Sequence, residues 1–95
     1  MNELEQALFD ILVNRCVILF RRYYPGNQHF KFTRDQYASI TDDLYDEVAD
    51  TICNDQVLAM NLGSDLDEVG EAVWMLEDNV KLAVGKRIRK RWEAN

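Results

Sequence analysis

Apolar residues recur at steps of three and four along most of the chain, and this spacing constrains the fold more than any other feature. It is the spacing of one face of an α-helix, and it appears in three long segments separated by short connections. The 95 residues include only four Gly and one Pro, so few positions favour turns or long loops. The sequence therefore predicts a single all-α domain over residues 1–95, a three-helix bundle with helices at about 3–24, 34–62 and 65–92.

The first predicted helix carries a second apolar row beside its main face. This row consists of Phe9, Val13, Val17, Phe20 and Tyr24. A helix that is apolar over so much of its circumference is buried on more than one side. We therefore expect the second row to meet another copy of the chain or a partner protein. Pro25 cannot continue the helix and sets its end.

The second predicted helix begins at a capping box and has one acidic face. Thr33 and Gln36 have the spacing at which each side chain binds a backbone amide of the other. The outer face lacks basic residues and carries Asp42, Asp43, Asp46, Glu47 and Asp50. A kink is allowed near Asn54 before the helix ends at Gly63. This face is either solvated surface or a mimic of a row of phosphates.

The third predicted helix has a near-heptad apolar seam, made of Leu66, Val69, Val73, Leu76, Val80 and Ala83. Beyond Ala83 the seam positions fall on Arg87 and Arg91, so the last turns are expected to leave the core. Trp74 lies on another side of this helix, which it shares with Gly70, Gly85, Ile88 and Trp92. Tryptophan is enriched at binding hot spots, so this side is predicted to contact another helix, within the chain or outside it.

Basic residues are predicted to gather at one end of the domain, where the first and third helices end and the second begins. This basic pole consists of Arg21, Arg22, Lys31, Arg34, Lys86, Arg87, Arg89, Lys90 and Arg91. A basic pole interleaved with aromatic residues suits a phosphate-bearing ligand, single-stranded nucleic acid or an acidic protein surface. The alternative is that these cations compensate helix dipoles or pair with the acidic face.

The sequence argues against several classes of protein. It has no phosphate-binding glycine loop, no calcium loop and no evident partner for the single His29, so neither an enzyme nor a metal or cofactor site is predicted. Cys16 and Cys53 lie on apolar stripes, as reduced cysteines do in cytoplasmic proteins. Neither a signal peptide nor a membrane span fits the N-terminal segment, so a cytoplasmic protein is expected.

The predicted function is therefore binding rather than catalysis. The leading hypothesis is a small non-enzymatic inhibitor or adaptor, of the type phages and mobile elements use to block a host machine. Its net charge of −6 disfavours nonspecific adhesion to nucleic acid. The predicted partner-binding residues are Trp74, Ile88, Trp92, Phe9, Val13 and Val17, and a homodimer is the favoured assembly. The alternatives are a nucleic-acid or nucleotide binder using the basic pole, and a nucleic-acid mimic using the acidic face.

Overall fold

The computed structural model describes the backbone of residues 1–25 and 32–93 and the side chains up to Arg89. The described residues form helices and no strands. The helices are α1 (Glu3–Tyr23), α2 (Arg34–Cys53), α3 (Gln56–Asn61) and α4 (Leu66–Glu93). The all-α prediction is thus confirmed.

The three long helices all pack against one another, and the short α3 packs against α4. Their inner faces form one apolar core, in which Leu8, Leu12, Cys16, Ile52 and Val80 have no exposed surface. The apolar residues at helical spacing in α2 and the predicted seam of α4 lie in this core or directly against it. Burial of one shared core is the main force that holds helices of this length in place, because helix propensity alone is marginal in water.

The starts of the helices are set by side-chain caps that the sequence signals. Thr33 accepts the amide of Gln36 at 3.2 Å, and the Gln36 side chain accepts the Thr33 amide at 2.7 Å, so the predicted capping box is present. At α4 the cap is Asp65, whose carboxylate accepts the Glu68 amide at 2.8 Å. Each cap satisfies an amide that has no partner within its helix.

The segment predicted as the second helix, with a kink allowed near Asn54, is divided into α2 and the short α3. α2 ends at Cys53, where the Asn54 side chain donates to the Asp50 carbonyl at 2.7 Å. Asp55 then caps a separate helix by accepting the Leu58 amide at 3.0 Å. Gly63, at φ +70°, follows α3 in the left-handed conformation that glycine adopts most readily.

The second apolar row of α1 is not available to a partner, which corrects the sequence expectation. Val13 and Val17 are 5% and 7% exposed, and Phe20 is 2% exposed. The physical reason is that α1 packs against both α2 and α4, so two sides of the helix are buried within one chain. Phe9 is half-buried against the same core.

α4 remains packed as far as Ile88, contrary to the expectation that it leaves the core after Ala83. Val84 and Ile88 are both 1% exposed. After Val80 the buried positions advance in steps of four rather than by the heptad rule, so the buried stripe rotates around the helix. Ile88 is therefore a core residue and not a partner contact, and Arg87 lies outside the seam.

Tyr45 connects α2 to α4 within the core by a hydrogen bond. Its hydroxyl donates to the backbone carbonyl of Val73, and its ring is almost wholly buried. Burial raises the pKa of Tyr45, and the nearby Glu77 carboxylate raises it further. The hydroxyl is consequently a neutral hydrogen-bond donor at neutral pH.

Candidate binding surfaces

One line of side chains faces outward along α4, opposite the buried stripe. We call it the outward stripe, and it consists of Asp67, Glu71, Trp74, Asp78, Leu82, Gly85 and Arg89, spaced three or four residues apart. Its most exposed apolar member is Trp74, at 77%, with Met75 beside it at 67% and Leu82 at 56%. Large exposed apolar side chains in one row mark a contact surface more often than isolated ones do.

The C-terminal half of the outward stripe borders a groove between α2 and α4. This α2–α4 groove has a volume of about 410 Å³. Its lining residues are Arg34, Tyr37, Ala38, Thr41, Asp42, Asp78, Lys81, Leu82, Gly85 and Arg89. Arg34 begins α2 and Arg89 lies near the end of α4, so both guanidinium groups belong to the same end of the groove.

Lys81 occupies the other end of the groove and is already neutralised. Its Nζ atom lies 2.6 Å from the Glu77 carboxylate and 3.1 Å from that of Asp42. The hydrogen bond to Glu77 raises the pKa of Lys81, and that to Asp42 raises it further, although partial burial opposes both. In the part of the chain that the structure describes, no other basic side chain forms an ion pair. Arg34 and Arg89 therefore have no ion-pair partner among the described residues, and Asp78 lines the same groove without pairing with either of them.

Gly85 leaves the middle of the groove open. A Cβ atom added at Gly85 would meet nothing within 4 Å, so packing inside the chain does not require glycine there. Glycine in a helix interior costs roughly 1 kcal/mol relative to Ala. Arg89 Nε donates to the Gly85 carbonyl at 3.2 Å, which holds the guanidinium over this open stretch.

A second depression lies between α1 and α2. It has a volume of about 320 Å³ and is lined by Arg15, Ile18, Leu19, Arg22, Glu47, Val48 and Thr51. Ile18 is 53% exposed, although sequence reasoning placed it in neither apolar row of α1. The Tyr23 hydroxyl donates to both carboxylate oxygens of Glu47, at 2.8 and 2.7 Å. This hydrogen bond raises the pKa of Tyr23. The sequence does contain a signal for the exposure of Ile18, because an apolar residue outside both apolar rows of α1 is not expected to reach the core.

The predicted basic pole does not form one continuous site. Arg34 and Arg89 both line the α2–α4 groove. The rings of Tyr24 and Phe32 are 5.2 Å apart, and those of Phe32 and Tyr37 are 5.4 Å apart. The other described members lie apart from the groove. Arg87 donates to Asn14 of α1 at 3.0 Å, Arg22 lines the α1–α2 depression, and Arg21 and Lys86 are exposed. Lys31 and the side chains of Lys90 and Arg91 lie outside the described residues, as do His29 and the Trp92 side chain.

The predicted acidic face is also divided. Asp42 pairs with Lys81 in the α2–α4 groove, and Glu47 accepts the Tyr23 hydroxyl on the α1 side. Asp43, Asp46 and Asp50 are exposed, and within the described ranges none of them meets a basic side chain. The uninterrupted row that phosphate mimicry requires is therefore reduced to three carboxylates.

The two cysteines and the possible metal ligands are the remaining chemically reactive groups among the described residues. Burial raises the pKa of the Cys16 thiol to about 12, and Cys53 is half-buried with its pKa raised by burial and by Asp50. A thiol with a raised pKa is a poor nucleophile and a poor metal ligand. Among residues 1–25 and 32–89, no group of three or more His, Cys, Asp or Glu side chains converges as a metal site would require. None of the described helices combines the length and apolar character that crossing a membrane requires.

The chain was compared with protein-family models, with curated proteins and with solved structures. No family model, curated protein or solved structure matches it. The surfaces described above are therefore the basis for any functional assignment.

Proposed function

We propose that this chain is a small non-enzymatic protein-binding protein, an adaptor or inhibitor, and that it contacts its partner through the outward stripe of α4. The observation that carries the proposal is the 77% exposure of Trp74 on a helix whose opposite face is buried in the core. The type of action would be that of phage and mobile-element proteins that block a host machine by occupying its surface. Such a protein needs a presented contact surface and no reactive group.

The energetics favour a contact centred on Trp74. An aromatic side chain of this kind buries roughly 150–250 Å² when it is covered, and truncating such an anchor costs on the order of 2 kcal/mol or more of binding free energy. Met75 lies beside it and adapts its shape to an irregular partner. Because the core of α4 is buried directly behind this stripe, the contact residues are already held in place and little ordering cost is added on binding.

The charges around Trp74 indicate which surface charge a partner would present. Residues 66–80 of α4 contain no Lys or Arg, and their acidic members are Asp67, Glu68, Glu71, Glu77 and Asp78. An exposed apolar centre with an acidic rim is complementary to an apolar pocket with a basic rim. A partner with that surface would associate faster at low salt, because the acidic rim steers it.

The experiment that tests the proposal uses two methionines of nearly equal exposure. Met75 is 67% exposed beside Trp74, and Met60 is 70% exposed on α3. Immobilised wild-type protein and the variants Trp74→Ala, Met75→Ala and Met60→Ala would be used to capture proteins from lysate. Capture should be lost with Trp74→Ala and weakened with Met75→Ala, while Met60→Ala retains it. Equal capture by all four proteins would remove the outward stripe as the contact surface.

A second function, binding of a phosphate-bearing ligand or nucleic acid, is favoured by Arg34 and Arg89 in the α2–α4 groove. Two guanidinium groups at one end of a groove, without carboxylate partners, suit an anion. Binding of a single-stranded oligonucleotide should then weaken steeply with salt and be lost with Arg34→Glu and Arg89→Glu. A binding curve that is flat between low and physiological salt would exclude this function. The third hypothesis, phosphate mimicry by α2, has no structural observation in its favour beyond exposed Asp43, Asp46 and Asp50.

A further inference from the structure

The charge of the outward stripe of α4 differs between its two ends, and the two ends are complementary in charge to each other. Its N-terminal half is acidic with an exposed Trp74, and its C-terminal half is open at Gly85 and basic at Arg89. When such a helix faces a second copy in the antiparallel direction, the acidic half of each meets the basic half of the other. The same stripe therefore supplies both surfaces of a contact.

We propose that two copies of this chain pair through their outward stripes in an antiparallel, two-fold symmetric dimer, with Trp74 of each copy entering the α2–α4 groove of the other. This inference rests on the proposed function, since it names the partner of the Trp74 surface as a second copy. The antiparallel alignment opposes Glu71 to Arg89 of the second copy and places Trp74 against the open backbone at Gly85.

The groove has the size and chemistry to receive an indole ring. Its volume of about 410 Å³ lies within the roughly 300–1,000 Å³ range of pockets that bury a ligand. Leu82, Tyr37 and Ala38 give it apolar walls, and Arg89 can stack its guanidinium on an aromatic face. Gly85 permits the close approach that a side chain at this position would block.

Gly85 and the unpaired arginines are the reason for choosing a second copy over another partner. Nothing inside the chain requires glycine at that position, and neither Arg34 nor Arg89 forms an ion pair with a described residue. The incoming acidic half supplies Trp74 for the open space and Glu71 for the guanidinium. A two-fold axis repeats each of these contacts, so both contacts form twice in the dimer.

The test is a charge exchange between two single variants. In Glu71→Arg both copies would oppose Arg to Arg, and in Arg89→Glu both would oppose Glu to Glu. Each variant alone should therefore self-associate on the order of 10-fold more weakly than the wild type, or worse, by sedimentation. Mixing the two variants restores both opposite-charge pairs, and a mixed dimer should form with near wild-type affinity.

Rescue in the mixture separates pairing from a folding defect, because a misfolded variant is not repaired by mixing. A second measurement needs no charge variant: in Trp92→Phe the only tryptophan is Trp74, and its emission should shift to the blue as protein concentration rises. Failure of the mixture to recover association, or a Trp74 emission that ignores concentration, would overturn the dimer.

Other outcomes separate this inference from the proposed function. A wild-type chain that is monomeric at every concentration but loses lysate capture with Trp74→Ala would sink the dimer and keep the protein-binding function. Release of the dimer by a short oligonucleotide, with the Glu71→Arg and Arg89→Glu mixture showing no rescue, would assign the groove to nucleic acid instead. Retained self-association in both single variants would contradict the antiparallel pairing.

Discussion

The two halves of α4 share one buried stripe and differ on their exposed side. In the N-terminal half, residues 66–80, the inner positions are buried and the outer ones combine carboxylates with Trp74. In the C-terminal half the inner positions Val84 and Ile88 are buried equally well, while the outer ones are basic and include the open Gly85. The inner stripe therefore holds the fold, whereas the outward stripe is the surface that we propose for partner contact.

The largest expected effect comes from the inner stripe of the basic half. Ile88→Ala should lower the free energy of unfolding by about 2–5 kcal/mol, because it removes a buried side chain and leaves a cavity. Leu82→Ala is the matched control in the same half, and its 56% exposure predicts a change within about 0.5 kcal/mol. Denaturant unfolding measures both. Equal small effects would mean that the last turns project from the core and that the two halves differ in packing after all.

The next effect concerns the fastening of the acidic half to α2. Tyr45→Phe removes the hydroxyl that donates to the Val73 carbonyl, and should cost about 0.5–1.5 kcal/mol. Tyr23→Phe removes a hydroxyl that donates to Glu47 on the exposed surface, so its cost should be close to zero. Chemical unfolding of the two variants side by side gives the comparison. A larger cost for Tyr23→Phe would show that the exposed α1–α2 contact, and not the core, fixes α2.

The two glycines of α4 give one test in each half. Gly70→Ala and Gly85→Ala should each raise the free energy of unfolding by about 0.5–1 kcal/mol, since a Cβ at either position has open space and Ala favours the helix. Thermal unfolding at low protein concentration would measure this without self-association. Loss of stability in Gly85→Ala alone would indicate that the groove is closed within the chain.

The smallest effect lies at Lys81, where the two halves meet. Lys81→Met should lower stability at neutral pH by about 0.2–1 kcal/mol, because the pairs with Glu77 and Asp42 are partly exposed. The pKa of Lys81 is raised above its ordinary 10.5, so the charged amine stabilises the fold below that pH. The difference from wild type should disappear as pH rises through the raised pKa, and a difference that grows with alkalinity would contradict this assignment.

Most of the fold was predictable from local signals in the sequence. The capping box at Thr33 and the end of α1 before Pro25 depend on neighbouring residues only, and the inner faces of α2 and α4 follow from helical spacing. A kink near Asn54 was allowed for, but a separate helix after it was not predicted, because its cause is a pair of side-chain caps, at Asn54 and Asp55, inside an otherwise continuous apolar pattern. Propensity alone does not separate a kinked helix from two helices at such a place.

The candidate surfaces were less predictable, because they depend on which helix covers which side. Val13 and Val17 had the pattern of a partner surface, yet α1 contacts two helices and buries both. Ile88 was grouped with Trp74 by helical angle, but the buried stripe rotates toward Ile88 and away from Trp74. Trp74 was predicted correctly as lying off the seam, and its open exposure could only be read from the packed helices around it.

The central claim is that the outward stripe of α4 pairs with a second copy of the chain through a contact centred on Trp74. Sedimentation velocity over a concentration series of the wild type, Trp74→Ala and Met60→Ala tests this claim most directly. Wild type and Met60→Ala should associate alike as concentration rises, while Trp74→Ala remains monomeric with its helical signal intact. Association that is the same in all three proteins, or absent from all three, would contradict the self-pairing of this stripe.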